Sequence, residues 1–411
     1  MKIVYANQSL PSQWSKSIFL AGPTPRDPET PSWRPDALRA LEEQGYDGVV
    51  FVPETSDKQW HHDYIDQVGW EEECLNAADC ILFWVPRDLK TMPAFTTNIE
   101  FGFWADSGKA VVGFPKDAPK TKYIKHYCDK LKIPNSNTLD NTVKNAVEFV
   151  GNGILRKDGA RKVPLYIFKT PHFQKWYRFQ IEEVGNRLDD ARVLWNYRVG
   201  EQRKFPFFWA IHVDIFVTEE NRNKSNEIII SRPDISSVLA FKPRESLMDC
   251  EVCLVKEFRS PGTTDDGFIW ELPSGSSAKL GPLIEDMFGV ASEELEEETG
   301  LKIPLTRFQV ASCPGVGQGY HTRRQLAGTS STHGSHLFIV QLTDEELEYL
   351  KSQKDIPHGE ANSSERTFVE VVTVRDILTA SAADGWGDKF PICDWSTIGM
   401  ILSVLANRYC E

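Results

Sequence analysis

Glu293-Glu294-Leu295-Glu296-Glu297-Glu298-Thr299-Gly300-Leu301 is the stretch that decides how the second half of the chain is read. Five carboxylates fall within six residues, and Glu294, Glu297 and Glu298 stand at i, i+3 and i+4. On a helix those three share a face, with Cβ atoms about 5–6 Å apart. Left unneutralised, each like-charged pair costs about 0.2–0.5 kcal/mol. A run of Glu is ordinarily a solvated acidic face. Several hard oxygen donors converging on one point are also what Mg²⁺ or Mn²⁺ requires. Gly300 fits the left-handed position just past a helix, with Leu301 folding back on the last turn.

Working outward, Trp270-Glu271-Leu272-Pro273-Ser274-Gly275 reads as a strand and turn leading toward this helix. With Glu285, Glu294, Leu295, Glu297, Glu298, Gly300 and Leu301, the segment resembles the Nudix box, G-x5-E-x7-R-E-U-x-E-E-x-G-U with U a bulky aliphatic. The resemblance implies an α/β/α sandwich around a mixed sheet, with Glu294, Glu297 and Glu298 holding Mg²⁺ or Mn²⁺. Two positions depart from the box. Glu293 stands where the family has Arg, and Lys279 where the box opens with Gly. The strand Cys253–Glu257, Arg259 and the Trp270–Pro273 segment are similar to the ADP-ribose pyrophosphatase branch. That likeness implies that Arg259 and Glu271 hold the nucleotide. It also implies a Glu on the polar loop at 355–366 as base for the attacking water. Glu365 and Glu360 are the candidates, Glu365 preferred because it lies nearer the following strand. Arg323-Arg324, in a Gly-rich loop, is expected to reach toward phosphates.

The first half reads differently. Ile18–Pro23, Val49–Pro53, Cys80–Pro86 and Ala110–Phe114 are continuous apolar runs, the pattern of parallel strands buried on both faces. Helical segments separate them, which predicts an open, doubly wound parallel sheet with ligands at the C-terminal strand ends. Ile18-Phe19-Leu20-Ala21-Gly22-Pro23, Ala78-Asp79 and Thr96-Thr97-Asn98-Ile99-Glu100-Phe101-Gly102 together resemble the nucleoside 2-deoxyribosyltransferase family. This likeness implies Glu100 as the nucleophile on the anomeric carbon, with Gly22, Asp79 and Asn98 at the substrate. A carboxylate suits that chemistry, because cleaving an N-glycosidic bond develops an oxocarbenium-like centre. Glu100 is expected just inside a helix start, where the dipole favours its anion. Phe19 replaces an aromatic hydroxyl that many members carry, and Ala94 replaces an Asp. Arg26 and Arg34, in the loops, are candidates for holding a phosphate.

The chain of 411 residues, 41% hydrophobic and 26% charged, has room for about two or three ordinary globular domains. The expected division is a deoxyribosyltransferase-like domain over 1–151, a linker and connecting helix over 152–204, and a Nudix domain over 205–411. The helix is read over Gln174–Trp195. A formal charge of −13 argues against binding duplex nucleic acid, but it leaves room for a small anionic nucleotide. No apolar run reaches the roughly 18 residues of a membrane span, and the start lacks the apolar core of a signal peptide. Eight scattered cysteines, with Cys250 and Cys253 as one CxxC, read as buried thiols in a reducing cytoplasm. The pairing of domains suggests a nucleotide-processing enzyme, one half cutting base from sugar and the other phosphate from phosphate. NAD yielding ADP-ribose and then AMP would satisfy both. The alternative is a nucleotide sensor, in which one domain binds without turnover. A homo-oligomer is in keeping with the deoxyribosyltransferase resemblance.

Overall fold

The apolar runs of the first half become strands with both faces covered. In chain order these are β1 (Lys2–Tyr5), β2 (Gln13–Trp14), β3 (Ser17–Ala21), α1 (Arg34–Glu43), β4 (Val49–Val52), α2 (Tyr64–Ala77) and β5 (Cys80–Trp84). They continue with α3 (Phe95–Trp104), β6 (Ala110–Gly113), α4 (Lys122–Leu131), β7 (Asn135–Ser136) and α5 (Leu139–Val150). The computed structural model describes the chain except residues 28, 57–63, 263, 265, 277–283, 312–322, 360–364, 383–392 and 410–411. Six strands form one sheet in the order β1-β4-β3-β5-β6-β7, and every pairing in it is parallel. Phe19, Phe51 and Phe83 pack with α2, α3 and α4 on one face. Ile18, Val50 and Leu82 pack with α1 and α5 on the other. The chain leaves β3 toward β4 on one side and comes back to β5 on the other. That reversal of direction opens a crevice at the carboxyl ends of the strands.

After α5 the chain forms β8 (Arg156–Lys157), paired with β2, then the short helices α6 (Leu165–Phe168) and α7 (Pro171–Arg178). The antiparallel strands β9 (Arg187–Val199), β10 (Phe205–Val217) and β11 (Arg222–Ser231) follow. The connecting helix expected over 174–195 is therefore cut short. After α7 comes a single wide turn over Phe179–Glu183, and Gly185 at φ +77° turns the chain into β9. Leu188 and Ala191 of β9 then pack with Trp209, Ile211 and Phe173. A boundary at 204–205 would separate β9 from β10, which pair from Phe205–Val199 to Phe216–Arg187. The chain divides instead into units Met1–Ser231 and Arg232–Glu411.

The second unit runs β12 (Ile235–Lys242), β13 (Glu251–Phe258), β14 (Phe268–Glu271), β15 (Ser274–Gly275), α8 (Ile284–Thr299), β16 (Gln309–Val310) and β17 (Arg324–Gln325). It ends with β18 (Gly334–Gln341), α9 (Asp344–Ser352), β19 (Pro357–His358), β20 (Thr367–Thr373), α10 (Val374–Ala382) and α11 (Trp395–Tyr409). All nine strands join one mixed sheet; β12 and β18 are parallel, while β13 and β20 are antiparallel. On one face Ala291 and Leu295 of α8 pack with Leu347 and Leu350 of α9. On the other, Ile377 of α10 packs with Ile401 and Leu405 of α11. Gly300 closes α8 at φ +70°, as the sequence leads one to expect. Among the described residues no helix is long and apolar enough to cross a membrane.

Candidate functional site

The crevice at the strand ends of the first unit is built around one turn. After β3 the chain passes through Gly22 at φ +153°, where a Cβ would lie 2.3 Å from the Trp84 carbonyl oxygen and 2.7 Å from the Trp33 ring. Only glycine fits so close an approach. Trp33 Nε1 donates to the Pro23 carbonyl at 3.1 Å. Arg34, the first residue of α1, is almost wholly buried. It donates to the carbonyls of Leu20 at 3.2 Å and Gly22 at 2.7 Å, to Thr24 Oγ1 at 3.1 Å and to Glu54 at 2.6 Å. Its guanidinium is thus committed to holding the turn, and the phosphate role expected of it gives way to a structural one. Arg26 is exposed, its guanidinium 5.3 Å from the centre of the Phe95 ring.

Glu100 faces this crevice, a cavity of about 410 Å³ lined among others by Gly22, Arg26, Pro53, Glu71 and Phe95. The residue is sixth in α3, whose N-cap Ala94 is left-handed at φ 59° with no side-chain cap. Helix dipoles act mainly within the first turn, so the anion-favouring position expected for Glu100 is not what it has. Burial pushes its carboxyl up to about 7, Glu71 adds to the shift, and Arg34 opposes it. Glu71, on α2, has its own carboxyl raised by burial and accepts from Gln67 Nε2 at 2.7 Å. Sequence reasoning missed Glu71, which only the fold brings beside Glu100.

Two expected substrate residues lie elsewhere. Asp79 precedes β5, at the opposite end of the strands. There it pairs with Arg156 at 2.6 and 2.9 Å and accepts from the backbone of Ser17 at 2.8 Å and Leu165 at 2.9 Å. With its oxygens saturated inside the protein, it is a structural residue rather than a ligand-binding one. Asn98 accepts from Arg87, on a face of α3 that does not line the cavity. Phe19 is fully buried in the core, so that position does not face a ligand.

A second set of side chains converges in the other unit. Carboxylate oxygens of Glu257, Glu298 and Glu365 lie within 4.8 Å of one another. Glu298, 2% exposed, accepts from the Ser274 backbone at 3.0 Å. Burial and then the neighbouring Glu294 push its carboxyl well above the usual range. Glu257, at the end of β13, is pushed up to about 7 by burial, which Arg259 offsets. Arg259 stands 2.8 Å from Glu257 and donates to Glu271 at 2.7 Å. Glu294 covers Gly275, where a Cβ would meet its Oε1 at 1.8 Å.

Of the three Glu expected to share a metal, Glu298 is therefore central and Glu294 lies beside it. Glu297 is exposed, outside the converging set, with its carbonyl accepting from Gly359 at 2.9 Å. Glu257 was missed, although strand alternation sets it on the same side as Arg259. Arg323, expected to reach for phosphates, is paired with Asp234 at 2.6 Å. Glu360, Lys279 and the side chain of Glu285 lie outside the described residues. Buried carboxylates this close are costly without a neutralising cation, and Glu257, Glu298 and Glu365 could hold a hard divalent ion.

A family model described as "Nucleoside 2-deoxyribosyltransferase like" matches residues 15–118. That span takes in the Gly22 turn, Ala94 and Glu100, and this part of the chain is similar to that family. The match ends before α4 and does not reach the second unit. Among curated proteins, none matches the chain.

Proposed function

We propose that the chain is a two-part nucleotide-processing enzyme. The first unit would act on an N-glycosidic bond, with Glu100 as the nucleophile toward the anomeric carbon. The observation that carries this reading is Glu100 facing the cavity at the strand-order reversal, with a carboxyl near neutrality. In its ionised form Glu100 donates an electron pair to the anomeric carbon, while the bond to the base breaks and the base takes up a proton. Water or another base then accepts the sugar. Gly22 and Arg26, which line the cavity, would bind the substrate.

For the second unit the reading is a Nudix-type pyrophosphohydrolase acting on an ADP-ribose-like nucleoside diphosphate. Glu257, Glu298 and Glu365, with Glu294 alongside, would hold Mg²⁺ or Mn²⁺. Such an ion, when bound, neutralises a diphosphate and acidifies a coordinated water. Arg259, braced between Glu257 and Glu271, would orient the nucleotide, and Glu365 would also take a proton from the attacking water. A cytoplasmic, homo-oligomeric enzyme of small nucleotides fits this reading. The rival is a sensor, favoured by Ala94 at a position where the resembled family carries an Asp.

Incubating the full chain with NAD, ADP-ribose and common nucleosides, in Mg²⁺ or EDTA, separates these readings. Free base that persists in EDTA and disappears in Glu100→Gln supports the glycosidic half. AMP and ribose 5-phosphate formed from ADP-ribose only with Mg²⁺ support the other. Neither product from any substrate supports the sensor.

A further inference from the structure

We infer that the first unit carries a second ligand cavity, at the end of the parallel sheet opposite Glu100, shaped for a small phosphate-bearing molecule with an aromatic portion. The cavity, about 490 Å³, is lined at the start of β6 by Ala105, Gly108 and Ala110, and by the 131–134 loop, α5 and the β9–β10 connection. Arg198 is part of its lining. That guanidinium lies flat on Gly108, where a Cβ would come within 2.9 Å of Cζ and Nη1, and Gly108 adopts φ +84°.

Arg198 is an unusual cation. Its Nε is buried without a hydrogen-bond partner. Among the described residues no carboxylate forms an ion pair with it; burial disfavours its charge first, Arg203 adds to that, and Tyr166 and Asp106 oppose it. Asp106 pairs with Arg203 at 2.8 Å, and Glu148, the carboxylate in the lining, is exposed and 3.9 Å from Lys144. Lys132 and Lys204, both exposed, are also in the lining. In a chain of net charge −13, this local excess of cations is set against the general charge. A half-buried guanidinium that no carboxylate pairs is matched by a phosphate oxygen reaching its more accessible Nη atoms. The lining also includes the apolar side chains of Phe149, Leu131, Ile133 and Pro134. The volume exceeds what an inorganic anion fills and suits a mononucleotide.

A packing-only account is that the C-terminal ends of α3 and α4, which border the cavity, hold these cations through their dipoles. It requires no ligand, and photolabelling decides between the two. The full chain is irradiated in EDTA with 8-azido-AMP, and labelled peptides are mapped by mass spectrometry. The expected result is label within 131–149 or 198–204, competed by inorganic phosphate and unchanged in Glu100→Gln. It should fall about tenfold or more in Arg198→Gln, the loss of one hydrogen bond to a charged group. Lys204→Gln, an exposed change that spares folding, should weaken it in the same direction. Label confined to the Glu100 cavity or the second unit overturns the proposal, as does label indifferent to both substitutions and to phosphate. Because Glu100→Gln leaves this labelling intact, failure of the glycosidic reading and failure of the second cavity are told apart.

Discussion

Arg34 donates from Nη2 to the carbonyl oxygen of Gly22 at 2.7 Å, joining the first turn of α1 to the turn that walls the Glu100 cavity. The same guanidinium pairs with Glu54, so its charge is balanced inside the protein. Removing it leaves Glu54 without its cation and three backbone or hydroxyl acceptors without their donor. Arg34→Met should cost about 3–5 kcal/mol, the usual penalty for breaking a buried pair. Urea unfolding measures it, and base release should fall along with stability.

At Gly22 the added methyl of alanine has nowhere to go, since it would sit 2.3 Å from the Trp84 carbonyl. Gly22→Ala should lower the melting temperature. It should also lower kcat/KM for the glycosidic reaction more than the stability loss explains, because the turn itself must move. A variant as active and as stable as wild type would show that the turn is slack.

Glu100 supplies a pH test. Its carboxyl is raised from 4.5 to about 7 in the fold. Between those values the unfolded chain gives up the proton first, so the contribution of this site to stability falls as pH rises and levels off above about 7. Glu100→Gln should therefore be relatively more stable than wild type at pH 8 than at pH 4. Activity that needs the anion should rise through pH 7. Glu71→Gln should move that rise to lower pH, because the charge of Glu71 is part of the shift. A pH–rate profile on both proteins checks the order.

Asp79→Asn distinguishes a structural carboxylate from a substrate ligand. With its pair to Arg156 weakened, unfolding should require about 3–5 kcal/mol less. KM of the folded fraction should stay unchanged. A raised KM at unchanged stability would return Asp79 to the substrate.

Calorimetric titration of Mn²⁺ tests the carboxylates of the second unit. Glu298→Gln and Glu257→Gln should each weaken binding by about tenfold or more, whereas Glu297→Gln should change it little. Equal losses in Glu297→Gln would restore the helix-face set read from the sequence.

The parallel sheet was legible because strands covered on both faces have no polar side, as the runs at Ile18, Val50 and Ile81 show. Glu100 was legible as part of a short motif. Glu71 and Glu257 were not, since each belongs to its site through an element distant in sequence from the motif. The stretch 187–195 was misread because the apolar spacing at Trp176, Phe179 and Ile181 invited an extended helix, while Gly185 carried the stop signal. Asp79 had the reverse fault. A resemblance supplied a role, but its position before β5 sets it at the wrong end of the sheet.

The ion pair between Asp79 and Arg156 also bears on where the protein can be cut. The family likeness ends at residue 118, which invites expression of a short fragment. Such a fragment would keep Asp79 sealed under the sheet and discard the arginine that neutralises it and the Leu165 amide that satisfies it. The smallest autonomous piece must therefore reach past Leu165. Since β10 holds β9 in place, a sound truncation stops only after Ser231, about twice the span that the likeness covers.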